Sequence, residues 1–323
     1  MKVVGIIYGD DDGLYDDRPF SNKHAFNAYH TLTRLAPEYD LRIMLVKPEW
    51  VTGRTCMRAW DLEQQKIVDS ISVDAYWDRN CLVPQDLKAF KKMQAFREKI
   101  ATNVPFMDDP RIQKITGDKL ETYQVFSKFM PLTFTTLVDA KKHLSGKVVL
   151  KPQFGAHGIG VRIEELSSVS SLPSGYLVQQ FVDSSAGIPG LIEGVSDLRV
   201  MILNGSIFDA FLRLPKTGLI TNISQGGTMK RISIKSIPID VLSIVKEVET
   251  KLASLGPRFY SIDFMIGVGK PWIIEMNSQP GIRGYMSQGI DLPSFEVLAR
   301  RILDALVTLC KEDTFKHRTN NEF

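Results

Sequence analysis

The sequence predicts an α/β protein that turns to α+β in its C-terminal parts, and three observations carry that reading. The chain opens on a strand–helix–strand unit: residues 2–8 form a β-branched, buried-type strand, 22–35 has helical periodicity, and Leu41–Val46 reads as a second strand. Such a unit closes by a right-handed crossover onto a parallel sheet. Later, apolar runs are joined across turns at Asn204-Gly205 and at 267–271, the pattern of antiparallel hairpins. At 323 residues the chain is long enough for two or three subdomains with sizeable cores.

Composition narrows the class. Hydrophobic residues make up 44% and charged residues 24%, ordinary values for a soluble globular protein. A net charge of +3 is too small to argue for nucleic acid or a membrane surface as partner. The three cysteines, Cys56, Cys81 and Cys310, are widely spaced and lack metal-ligand spacing, which favours a reduced intracellular compartment. Residues 1–8 are apolar but short, and Asp10-Asp11-Asp12 ends them, so they read as a first strand and not a signal peptide. No run approaches the ~20 apolar residues of a membrane span. A cytoplasmic protein is expected; a homodimer is compatible with this reading.

In chain order, 9–19 is an acidic loop, and Ser21 is the expected cap of the first helix. Residues 67–77 carry further strand character ending in Asp78-Arg79, and a helix follows over roughly 84–100. Gly9 and Gly13 are isolated, so a dinucleotide fingerprint is missing. The first boundary is expected at 105–110, giving a domain over 1–105, a second over 106–183 and a third over 184–323. Asp118 can cap a helix that starts at Lys119 and ends near Phe129.

Lys147 to Ile163 holds the strongest phosphate signal. A strand ends in Lys151-Pro152, a loop with Gly155, His157, Gly158 and Gly160 follows, and a strand resumes at Val161. Glycines let backbone N–H groups approach a phosphate, and a lysine adds a point charge. A P-loop is excluded, because the lysine precedes the loop and a strand follows it. His157 can touch phosphate or remain a solvated loop histidine. Next, 174–183 is a strand ending in Gln179-Gln180-Phe181-Val182-Asp183, and 184–195 is a Gly- and Ser-rich loop. Arg199 starts one strand of the hairpin that turns at Asn204-Gly205 and Arg213 ends its partner, where they could steady phosphates. An amphipathic helix is expected over 238–255 and a closing helix over 292–309.

Between those helices, two apolar runs each carry an acid. Asp263 lies on the first, Glu275 on the second, and Asn277 follows two residues later on the same face. Unpaired carboxylates are costly to bury, so they need a cation or strong donors. Three oxygen ligands without His or Cys suit a hard cation such as Mg2+, while lysines could pair the same acids.

The run Glu275-Met-Asn-Ser-Gln-Pro-Gly-Ile-Arg-Gly, preceded by Asp263 and a hairpin, resembles the metal-binding end of the ATP-grasp carboxylate–amine ligases. It looks closest to the branch holding ribosomal-protein glutamate ligases and glutathione synthetase-like enzymes. The resemblance implies an ATP-grasp fold behind an N-terminal open α/β domain. It also implies that Asp263, Glu275 and Asn277 hold Mg2+ on ATP, two ions in the family arrangement, with Mn2+ able to substitute. Lys119 would reach the nucleotide, and the loop after Lys151 would close over the phosphates. The hinge Gln179 to Asp183 would read adenine, with either glutamine inward; Asp183 or Glu193 would take the ribose. Asp197-Leu-Arg199 looks like the family's arginine motif. Asn222-Ile-Ser-Gln-Gly226-Gly227 resembles the loop beside the acyl acceptor, although Ile220 stands where close relatives have arginine. Arg283, where those relatives have an acid, could hold a substrate carboxylate instead, or pair with Asp291 or Glu296.

The expected reaction is attack of a carboxylate on the γ-phosphorus of ATP, followed by capture of the acyl phosphate by an amine. Substrates would be amino acids or a peptide. Phosphotransfer without ligation and a non-catalytic nucleotide-binding module are the alternatives.

Overall fold

A computed structural model describes residues 1–9, 14–15, 17–80, 84, 86–156, 158–219, 221, 226–267, 269–282 and 292–311. Its first sheet is built around β1 (Lys2–Gly9), which runs parallel to β2 (Leu41–Val46) on one side. On the other side it is parallel to a strand numbered β5 below (Ala75–Asn80). Two antiparallel strands, β3 (Thr55–Asp61) and β4 (Lys66–Ser72), extend the β2 edge. The short β6 (Phe106–Met107) pairs parallel with β5, which gives the order β4-β3-β2-β1-β5-β6.

Three details differ from the sequence reading. The helix α1 (Lys23–Leu35) is capped by Asn22 and not Ser21, because the Asn22 side-chain oxygen accepts from the amides of His24 and Ala25 at 2.8 and 3.3 Å. The run read as one strand over 67–77 divides into β4 and β5. Asp74, between them, accepts from the Val3 amide and from Lys2 Nζ, pinning the connection to the start of β1. No strand was expected at β3, whose residues show neither a continuous apolar run nor strict alternation.

The helix α2 (Leu87–Ala101) begins after Asp86, which accepts from the Ala89 amide. Two short helices follow, α3 (Pro110–Gly117) and α4 (Lys119–Phe126), capped by Asp109 and Asp118. A four-stranded antiparallel sheet comes next, in the order β7 (Thr133–Phe134), β10 (Tyr176–Gln180), β8 (Lys147–Pro152) and β9 (Arg162–Glu165). Ala140 of α5 (Leu137–His143) packs with Val148, Leu150 and Val178 in its small core.

The third sheet is antiparallel: β13 (Thr228–Ile232), β12 (Ser206–Leu214), β11 (Asp197–Leu203), β14 (Phe259–Gly267) and β15 (Lys270–Asn277). Alternation along β11 gives it two faces. Leu198, Val200 and Ile202 pack in one core with Val241, Val245 and Val248 of α6 (Ile239–Leu252). Met201 and Leu203 face the other way, into a core shared with α1, the first sheet and α7 (Leu292–Lys311). Asp197 and Arg199 fall on that second face, at its open end. No described helix is long and apolar enough to cross a membrane.

Candidate active site

Strand register assembles the charged part of the site. Arg199 on β11 lies opposite Asp263 on β14, and Asp263 lies opposite Glu275 on β15. Asn277 lies opposite Ser261, and Asp197 opposite Arg213 on β12. Directly opposed residues share a face, so these side chains lie on one face of the sheet. Arg199 grips Asp263 with Nε and Nη2, each at 2.7 Å. Arg213 donates Nη2 to the same carboxylate at 2.6 Å, and its Nε and Nη2 to Asp197 at 2.6 and 2.9 Å. The Thr221 hydroxyl also donates to Asp197. Burial pushes the Asp263 carboxyl upward, but the two guanidiniums outweigh it and hold the group below the ordinary range. Burial pushes Asp197 upward, against the pull of Arg213.

The two lysines enter from the opposite wall. Lys151, next to last in β8, is buried and donates to Gln179 Oε1 at 2.9 Å and to the Ile274 carbonyl at 3.3 Å. Burial, helped by nearby Lys119 and opposed by Glu275, pulls its pKa down to about 7. Gln179 donates in turn to the Thr133 hydroxyl at 2.8 Å, so the inward glutamine is Gln179. Gln180 instead accepts from the Leu132 amide at 3.4 Å. Lys119 donates to the Gly155 carbonyl at 2.7 Å and stands 3.6 Å from Glu275. Asp118, which caps α4, accepts the Gln153 amide at 2.9 and 3.0 Å, tying the base of the glycine loop to the helix that carries Lys119.

One cleft joins these groups. Lys119, Lys151, Asp197, Arg213, Asp263 and Glu275 line it, together with apolar surface from Val149, Ile163, Phe181, Val182, Met265 and Ile274. Gly155, Gly158, Gln179 and Gln180 also line it, whereas Gly160, Asp183, Arg199 and Asn277 do not. Gly160 serves backbone geometry, with φ +77°. The Asp183 carboxylate accepts from the Ser185 amide at 2.9 Å, and Asn277 Oδ1 from the Gln279 amide at 2.8 Å. Arg199 is committed to the Asp263 carboxylate. His157, Ile220, Asn222, Arg283 and Asp291 lie outside the described residues.

Among the described residues no three His, Cys, Asp or Glu side chains gather as a metal cluster. The donor chemistry still fits a hard cation arriving with phosphates: Glu275 is partly exposed to the cleft, with Lys119 at 3.6 Å as its ion-pair partner. Sequence reasoning passed over Asp197, Thr221, Thr133 and Ser184, which also lines the cleft. For Asp197 a signal existed, since it lies two residues before Arg199 and so shares its face.

Residues 129–302, more than half of the chain, match the RimK-like ATP-grasp domain. A coenzyme gamma-F420-2:alpha-L-glutamate ligase from Methanococcus maripaludis is 27% identical over 209 residues, covering 59% of this chain and 67% of that protein. A probable alpha-L-glutamate ligase from Rhodopirellula baltica is 23% identical over 216 residues, covering 57% of this chain but 50% of its own length. The matched stretch thus spans about half to two thirds of these relatives. The crystal structure of the D-cycloserine synthetase DcsG superposes over 96% of this chain and 100% of its own, with a TM-score of 0.62 at 14% identity.

Proposed function

Because the chain belongs to the RimK-like ATP-grasp family, we propose that it is an ATP-dependent ligase that activates a carboxylate as an acyl phosphate and couples it to an amine. The observation that carries this reading is the convergence of Lys119, Lys151, Arg213, Asp263 and Glu275 on one cleft.

Two anionic reactants must meet in such a reaction, and cationic side chains offset their repulsion. Lys151 and Lys119 bind the phosphates. Arg213, steadied between two carboxylates, faces the charge that develops on the transferring group. Phe181, Val182, Met265 and Ile274 enclose the base, with Gln179 and Gln180 at its edge. Asp263, Glu275 and Asn277 would hold Mg2+, two ions or Mn2+ in its place, which supplies charge neutralisation on the phosphates. Closure of the glycine loop excludes the water that would hydrolyse the acyl phosphate. Asn222 beside the acceptor and Arg283 on a substrate carboxylate complete the proposal. The substrate class is amino acids or a peptide, in the cytoplasm.

A screen of amino acids in pairs tests this, with ADP release as the first readout and product mass as the second. An amide with ADP supports ligation. A stable phosphate ester would replace ligation by kinase chemistry, and no ATP turnover with any pair would leave a binding module.

A further inference from the structure

Asp197 receives as many hydrogen bonds as Asp263, three, yet the reaction above does not name it. Asp197 is buried and receives three donors: Arg213 Nε at 2.6 Å, Arg213 Nη2 at 2.9 Å, and the Thr221 hydroxyl. Each contact donates to it, so Asp197 serves as an ionised acceptor. The two parallel bonds from Arg213 fix the plane of the guanidinium, which a single contact would leave free to turn. Nη2 is further committed to Asp263 at 2.6 Å. Nη1 of Arg213 makes no hydrogen bond to a described residue, and Arg213 lines the cleft.

From this arrangement we infer that Asp197 is a positioning residue for phosphoryl transfer, acting through Arg213, whose Nη1 edge it aims at the transferring group. The inference rests on the ligase reading. Thr221 joins the same unit by fixing the carboxylate from its other side. Asp197 and Asp263 together balance Arg199 and Arg213, two charges against two. Removing the Asp197 charge therefore leaves the cleft more positive, which favours a bound polyanion, while it frees the guanidinium to turn. Positioning and affinity should part company: kcat falls and ATP binding does not.

The test is Asp197→Asn, which keeps the volume, measured by calorimetric titration with MgATP and by ADP release with the amino-acid pair that turns over best. The expected result is a fall of about tenfold or more in kcat with Kd for MgATP unchanged or lower. In an Arg213→Lys background the same substitution should change kcat by less than about twofold, because the residue it acts through has gone. If Asp197→Asn does not fold, Thr221→Val removes one of the three bonds and should show the same split on a smaller scale. Full additivity in the double variant would overturn the inference. So would a raised Kd with unchanged kcat and lost discrimination against 2′-deoxy-ATP, which would make Asp197 a ribose ligand. A parallel loss of Tm, kcat and affinity would make it purely structural. If the wild-type protein binds MgATP but releases no ADP with any pair, the ligase reading fails first, and this inference falls with it.

Discussion

Lys151 is held by an amide and not by a carboxylate: its ammonium donates to Gln179 Oε1 at 2.9 Å, with both side chains buried. An amide offers partial charge only, so burial dominates and the lysine titrates near 7. A phosphate beside it favours the charged form. Below pH 7 the lysine is already protonated and binding needs no proton. Above that pH, binding must take one up, so MgATP affinity should fall as pH rises through about 7. Calorimetry in buffers of different ionisation heat measures the uptake. Because ATP itself titrates in this range, the difference from Lys151→Met is the diagnostic quantity. Equal uptake by the two proteins would show that Lys151 is not the titrating group.

Gln179→Glu should move that behaviour. A carboxylate at the same distance raises a lysine pKa by about 1–3 units, carrying the affinity loss to higher pH. The new side chain can only accept, so the Thr133 hydroxyl, which donates to the Pro131 carbonyl at 2.9 Å, must choose between partners. A pH profile identical to wild type would mean that Gln179 does not set the lysine's charge.

The direct test of Lys151 is affinity below pH 7, where the wild-type lysine is charged. Lys151→Met keeps the apolar stem but deletes the charge, so MgATP binding should weaken by about 1.5–3 kcal/mol. The unliganded protein should lose no stability, because a buried ammonium is disfavoured to begin with. Unchanged Kd would place the phosphates away from Lys151.

These relationships mark the boundary of what the sequence reveals. The glycine loop, the hairpin acids and the helix cap at Asp118 are local patterns, and each occurs where the residues place it. Their partners are not local. The arginines on Asp263 lie 64 and 50 residues away, and strand register alone decides that they meet it. Parity decides between the glutamines in the same way. On β10, Leu177 pairs with Lys151 and Gln179 with Val149, so Gln179 shares the lysine's face; a one-residue slip would have turned Gln180 inward. For Asp197 the sequence carries only its parity with Arg199, and an acid at a strand start can equally be a solvated end. Its burial follows from the tertiary contacts of Arg213 and Thr221.

Glu275→Gln is predicted to abolish turnover while leaving the fold intact. Its nearest cation is Lys119 at 3.6 Å and the carboxylate is partly exposed, so the lost pair should cost no more than a few tenths of a kcal/mol in stability. ADP release near the wild-type rate in saturating Mg2+ would remove Glu275 from the metal set.

The glycine loop offers the sharpest separation of backbone strain from steric fit. Gly160 and Gly175 have nearly the same conformation, φ +77° and +75°. An added Cβ at Gly175 meets open space, whereas at Gly160 it would lie 2.6 Å from the Tyr176 hydroxyl and 3.0 Å from Pro152 Cγ. Both alanine variants therefore carry the left-handed penalty, about 1–2 kcal/mol. Only Gly160→Ala also pushes the loop off the end of β8, where Lys151 and Pro152 sit. Gly175→Ala should lower Tm modestly and leave Kd for MgATP alone. Gly160→Ala should lower Tm further, speed amide exchange in the turn that closes from the Val161 amide to the Gly158 carbonyl, and weaken MgATP binding. The comparison is made by exchange mass spectrometry and titration on the two variants side by side. If they behave alike in both measurements, the loop's seat on Pro152 and Tyr176 has no part in holding the nucleotide.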